Sequence, residues 1–170
     1  LLCEGDEAKS RPCGECRTCR LVSRGSLVDL HTVEPPLRVD AVREVTRVLA
    51  LSPTEARHRI AILPEIDRAS VAASNAQLKT LEEPSEHAVI LLTSGDSDTV
   101  LPTVRSRCRE IALRPLPYAI VADALESAWG VDRETASGLA RRSAGRIGWA
   151  VQAIEDPEVG ALRGEWLDGL

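Results

Sequence analysis

Apolar residues along this chain fall into short unbroken runs and into spaced repeats, and the two alternate. Arg59 to Leu63 and Ala88 to Thr93 are nearly continuous apolar stretches, the signature of parallel strands buried on both faces. Leu27 to Val33 reads as a shorter strand that ends at Pro35-Pro36, where neither a ladder nor a helix can continue. Between these runs Val42, Val45, Val48 and Leu49 recur at helical spacing, with Asp40 as the expected cap and Ser52-Pro53 as the stop. Ser70 is placed to cap a second helix that buries Val71, Leu78 and Leu81 and stops at Pro84. A last strand is expected at Arg109 to Leu113, followed by the stiff link Arg114-Pro115-Leu116-Pro117. Beyond it only helical patterns remain: Tyr118 to Trp129, Arg133 to Ser143, Ile147 to Ile154 and Glu158 to Leu167, punctuated by Gly130, Gly145 and Asp156-Pro157.

This order predicts an α/β domain over 1–114 and a small all-helical domain over 115–170. With 170 residues and 44% apolar content the chain can bury a core of that size. No apolar run approaches membrane-spanning length and Leu-Leu-Cys-Glu lacks the parts of a signal peptide, so the expectation is a cytoplasmic protein with no membrane partner. The net charge of −5 argues against a self-sufficient nucleic-acid binder. The lack of Phe and the single Tyr argue against base stacking on aromatic platforms. The tryptophans, Trp129, Trp149 and Trp166, read as packing residues. The sequence contains no methionine, which points to a fragment.

Cys3, Cys13, Cys16 and Cys19 are separated by nine, two and two residues. Such a set reads as a metal site before it reads as disulfides, and structural zinc fits four thiolates best because they close a tetrahedron. Four thiolates around Zn²⁺ leave two negative charges, which Lys9, Arg11, Arg17 and Arg20 are near enough in sequence to offset, and Gly14 permits the tight backbone that lets amide groups point at sulfur. Four unrelated thiols, or a redox pair at Cys13 and Cys16, are the competing readings. Cys108 lies far from the set and reads as a packing residue.

The segment Asn75-Ala76-Gln77-Leu78-Lys79-Thr80-Leu81-Glu82-Glu83-Pro84 and the turn Ser106-Arg107-Cys108 resemble the bacterial clamp-loader ATPases of the AAA+ class, within it the delta-prime type found in DNA polymerase III. The cysteine set and the helical end extend the likeness over nearly the whole chain. The resemblance implies that 1–114 is the back half of an AAA+ nucleotide-binding domain, with a zinc module at about 3–19, and that 115–170 is its helical lid. It also implies that Arg107 acts as a finger toward ATP bound by a neighbouring subunit, worth about 10³–10⁵ in rate when supplied in trans. The partners it implies are other clamp-loader subunits of gamma/tau and delta type, with the sliding clamp and primed DNA reached through the assembled complex. This chain would then be an accessory subunit of a DNA-directed DNA polymerase.

Two positions depart from the motor pattern. An active ATPase of the class ends the strand at Leu63 in Asp-Glu, one carboxylate for Mg²⁺ and one for the attacking water; here Pro64-Glu65 leaves only a base, with Asp67 two residues on. In the lid the phosphate-touching arginine falls at Gly148, with Arg146 offset from it. By the resemblance, Thr93 or Ser94 occupies the place where the family senses the γ-phosphate, a plain turn role for the hydroxyl being the alternative. The expectation is therefore no intrinsic ATPase and no cofactor-binding residue of its own, ATP being bound only next door. A hydrolysing gamma/tau-type motor and a zinc-stabilised DNA-binding module are the alternatives. No Gly-x-x-x-x-Gly-Lys-Ser/Thr occurs in these residues, which does not discriminate in a fragment.

Overall fold

Three parallel strands, β1 (Leu30–Thr32), β2 (Arg59–Leu63) and β3 (Ala88–Leu92), lie side by side in that order in a computed structural model that describes residues 2–5, 12–156 and 158–159. Leu30 pairs with Ile60 and Ile60 with Val89. Parallel neighbours require crossovers, and these are helical. Helix α2 (Val39–Leu49) joins β1 to β2; α3 (Val71–Ala76) and α4 (Leu78–Glu82) join β2 to β3. Before the sheet stands α1 (Arg17–Ser23), and after it the short α5 (Pro102–Arg105). The residues up to Glu110 make one unit.

The core of this unit lies between the sheet and α2. Val42 and Leu49 from the helix meet Ala61 and Leu63 from β2, all buried, with Val33, Leu37, Ile66 and Ala73 closing the cluster. Side chains of this size contribute about 1.5–3 kcal/mol each when fully buried. Arg43 and Arg47 face solvent, Arg47 paired with Glu44. Asp40 does not cap α2; the cap position is Arg38 and Asp40 lies in the first turn, where its charge favours the helix dipole.

Other expectations are corrected here. The helix expected to run unbroken to Pro84 pauses at Gln77, and Val71 is 62% exposed while Ala73, Ser74 and Gln77 take the buried places. Ser70 does cap it, its hydroxyl accepting from the Ala73 amide at 3.1 Å. No strand forms at 109–113, where Ile111 and Leu113 are 75% and 93% exposed. For the same reason β3 is only half-buried. Among the described residues only β2 is flanked on both edges, and a parallel strand reaches full burial only between neighbours.

From Ile111 onward a second unit consists of α6 (Tyr118–Trp129), α7 (Arg133–Ser143) and α8 (Ile147–Glu155). Val121, Leu125, Leu139 and Ala150 form its buried centre, with Trp149 packed against it. Trp129, read above as a packing residue, is 43% exposed. Asp132 caps α7 through the amides of Glu134 and Thr135. Gly145 has φ +79 and a Cβ there would fall 2.5 Å from the Leu116 carbonyl, so only glycine fits. The expected helix at Glu158 to Leu167, with Trp166, lies outside the described residues beyond 158–159. No helix among them is long and apolar enough to cross a membrane.

Candidate metal centre and arginine turn

The four cysteine sulfurs converge, all within 4.8 Å of one another, on a loop closed by the first turn of α1. Cys13 and Cys19 Sγ are 3.9 Å apart; a tetrahedral zinc–thiolate site with bonds of about 2.3 Å places its sulfurs about 3.8 Å apart. The backbone is folded around sulfur. The amide of Gly5 donates to Cys3 Sγ at 3.4 Å and that of Cys16 to Cys13 Sγ at 3.4 Å. The amide of Cys19 donates to Cys16 Sγ at 3.3 Å, which makes Cys16 the cap of α1. Gly14, at φ +73, supplies the turn between Cys13 and Cys16.

These contacts push the thiols apart in acidity. The amides of Cys13 and Gly5 bring Cys3 down to about 6, and backbone hydrogen bonds from Glu4 and Cys19 lower Cys16. The Cys16 sulfur, in contrast, pushes Cys19 up to about 11. Sulfurs this close cannot all ionise without a cation among them, so the cluster could hold a metal ion. Of the side chains expected to offset that charge, the two described are engaged elsewhere. Arg17 turns away to Glu55 at 2.9 Å and Arg20 donates to the Glu15 carbonyl, while Lys9 and Arg11 lie outside the described residues. Backbone amides supply donors to sulfur, as expected from the tight backbone at Gly14. Cys108 stands apart, its thiol pushed up by burial.

At the end of β2 the expected Asp-Glu pair is replaced by Pro64-Glu65. Glu65 follows Pro64 in left-handed conformation, φ 51, and its carboxylate meets Arg68 at 3.3 Å. Its amide donates to Thr93 Oγ1 at 3.3 Å, and Ser94 Oγ serves its own turn by donating to the Asp96 carbonyl at 2.7 Å. The Asp67 carboxylate lies beside the loop that leaves β3, where a Cβ on Gly95 would fall 3.7 Å from its Oδ2. In the helical unit nothing lies within 4 Å of where a Cβ on Gly148 would fall, so packing at that atom does not demand glycine.

Arg107 lies in the turn that leaves α5, its amide donating to the Val104 carbonyl at 3.1 Å. Its guanidinium does not hang free. Nε and Nη2 both donate to Glu82 Oε1, the first at 2.8 Å, and Nη1 donates to the Thr103 carbonyl at 2.7 Å. Arg105 is held by two acids, Asp98 at 2.8 Å and Glu110 at 3.2 Å. Sequence spacing concealed the Glu82 contact, since the two residues stand 25 positions apart. It also concealed the buried pair of Asp29 and Arg59, 3.1 Å apart, in which Asp29 accepts from the amides of Thr54, Glu55 and Ala56. The available signal was an acid inside the run from Leu27 to Val33.

A family model described as DNA polymerase III, delta subunit, matches residues 1–117. The chain is 38% identical over 124 residues to a DNA polymerase III subunit delta' of Pseudomonas aeruginosa, covering 70% of this chain and 37% of the relative. It is 33% identical over 160 residues to the subunit delta' of Escherichia coli, covering 91% of this chain and 48% of the relative. The chain thus spans less than half the length of either relative. Among solved structures, a DNA polymerase III gamma subunit-related protein of Thermotoga maritima superposes with a TM-score of 0.58 at 26% identity, over 75% of this chain and 42% of the other.

Proposed function

Because the chain belongs to the DNA polymerase III delta-subunit family, we propose that it serves as the delta-prime type of clamp-loader subunit, which hydrolyses no ATP itself and lends Arg107 to ATP bound by a neighbouring subunit. The observation that carries this reading is the end of β2. Pro64 offers no carboxylate to a magnesium ion, and Glu65 is turned into a left-handed residue paired with Arg68. Arg107, in contrast, sits on a turn braced by α4 and α5, as a group lent to another site needs to be. A planar guanidinium there can meet charge that develops on a transferred phosphate. Loading of a ring-shaped clamp onto primed DNA, with gamma/tau-type and delta-type subunits as partners, is the activity this reading assigns to the assembly.

The cysteine cluster is assigned one structural Zn²⁺, held by Cys3, Cys13, Cys16 and Cys19. Its sulfur separations and amide donors suit a closed thiolate site without a position for substrate. The metal would cross-link the loop before α1. The 1–114 and 115–170 divisions correspond in this reading to a partial AAA+ domain and its lid.

A motor role of gamma/tau type is the second reading, favoured by matches to relatives named tau and gamma. The test is a loader reconstituted from full-length subunits. Arg107→Ala is expected to fold and assemble but to depress the partner's ATP turnover and clamp loading. Arg107→Lys is expected to rescue poorly, because an ammonium cannot reproduce the forked contact. No effect of Arg107→Ala in a correctly assembled loader would remove the proposal.

A further inference from the structure

We infer that Glu82 is the positioning residue of Arg107, an inference that rests on the reading of Arg107 as the group lent to a neighbouring nucleotide. An arginine on a turn spreads over many rotamers, and that freedom must be surrendered before it can hold one geometry against a phosphate. Glu82, the last residue of α4, removes much of it in advance. Its Oε1 takes the side edge of the guanidinium, Nε and Nη2, and α4 is itself packed on α5, which carries the turn.

The pattern of donors separates positioning from sequestration. A guanidinium has five N–H groups. Nε and one hydrogen of Nη2 go to Glu82; Nη1 goes to the Thr103 carbonyl at 2.7 Å and to the Ser106 hydroxyl at 3.3 Å. One Nη2 hydrogen is left. The Ser106 bond is longer than the Thr103 bond and is the easier to exchange. Nη1 and Nη2 can therefore present a fork to phosphate oxygens while Glu82 keeps its grip on the other edge. Arg105 is gripped at the same edge, Nε and Nη2 on Glu110 Oε2, but its Nη1 is held by a second carboxylate, Asp98 at 2.8 Å, where Arg107 has only a carbonyl and a hydroxyl. An exposed pair of this kind is weak, so it restrains the arginine without competing seriously with a nucleotide.

The experiment is ATP turnover by a loader reconstituted from full-length subunits, with assembly verified for each variant. Glu82→Ala is expected to lower kcat about three- to tenfold with the KM for ATP unchanged, because only transition-state contact is loosened. Glu82→Gln, whose amide oxygen still accepts from the guanidinium, is expected to recover most of the loss. In an Arg107→Ala background Glu82→Ala is expected to change nothing further. The same fold loss in both backgrounds would show that Glu82 acts without Arg107 and overturn the inference. Unchanged or raised turnover in Glu82→Ala, beside a damaging Arg107→Ala, would also overturn it while leaving the lent arginine intact. A silent Arg107→Ala would remove the underlying reading itself.

Discussion

The end of β2 and the turn after α5 are two stretches where an ATPase of this class would be expected to carry chemistry, and here they have diverged. At the first, a proline stands where a carboxylate is needed and the remaining glutamate is paired with Arg68. At the second, an arginine is clamped by a carboxylate and a carbonyl from two helices. A residue that serves the chain's own site can be lost without cost once that site falls silent, whereas a residue lent to a neighbour remains bound by the neighbour's chemistry. On the proposed reading, this contrast is how one chain would keep the fold of an ATPase without its activity.

The largest effect that sharpens this contrast lies in the pair Arg107→Ala and Pro64→Asp. Arg107→Ala is expected to cut the assembled loader's turnover by at least about tenfold, within the 10³–10⁵ ceiling of a trans finger. Pro64→Asp is expected to create no turnover in the full-length subunit, because Glu65 remains left-handed and paired; a gain of ATPase in Pro64→Asp would break the comparison. Next in size is the metal. Chelation or Cys16→Ser is expected to expose the backbone around Cys13 to Ser23 to hydrogen exchange while leaving β2 protected. Purified protein without stoichiometric zinc by elemental analysis would remove the assignment.

Asp29→Asn comes third. It leaves Arg59 charged and buried, and breaking a buried pair costs about 3–5 kcal/mol. Burial pushes the Asp29 carboxyl up, but the amides of Glu55, Thr54 and Ala56 together with Arg59 outweigh it and hold the group below its ordinary 3.8. A carboxyl depressed by folding stabilises fully above its unfolded value and loses that contribution as pH falls through the folded one. The gap between the denaturant midpoints of the two proteins is therefore expected to be constant above about pH 3.8 and to close as pH falls below it. Gly145→Ala is smaller, about 1–3 kcal/mol from the clash and the positive φ, and confined to the helical unit. Arg105→Ala is expected to change turnover least; an effect equal to that of Arg107→Ala would reduce the turn to general basicity.

Much of this was legible in the sequence where the determining contacts are local. The runs at Arg59–Leu63 and Ala88–Leu92 and the helical repeats from Tyr118 to Glu155 fixed their elements within a residue or two, since each depends on its own periodicity. The cysteine set was legible for a similar reason: Cys16 and Cys19 are the cap and first turn of α1, and Cys13 stands only three residues before that cap. What depended on distant partners was not. The stretch 109–113 has strand composition but finds no ladder among the described residues, and the Asp29–Arg59 and Glu82–Arg107 pairs join segments about 25–30 residues apart. The break at Gln77 also escaped, because helical periodicity continues across it.

The most direct test is ATP turnover by the full-length subunit, measured first alone and then within the reconstituted loader. The account predicts background turnover for the subunit alone and turnover in the loader that falls when Arg107 is replaced by alanine. Robust turnover by the isolated subunit, persisting in Arg107→Ala, would contradict it and make this chain a motor.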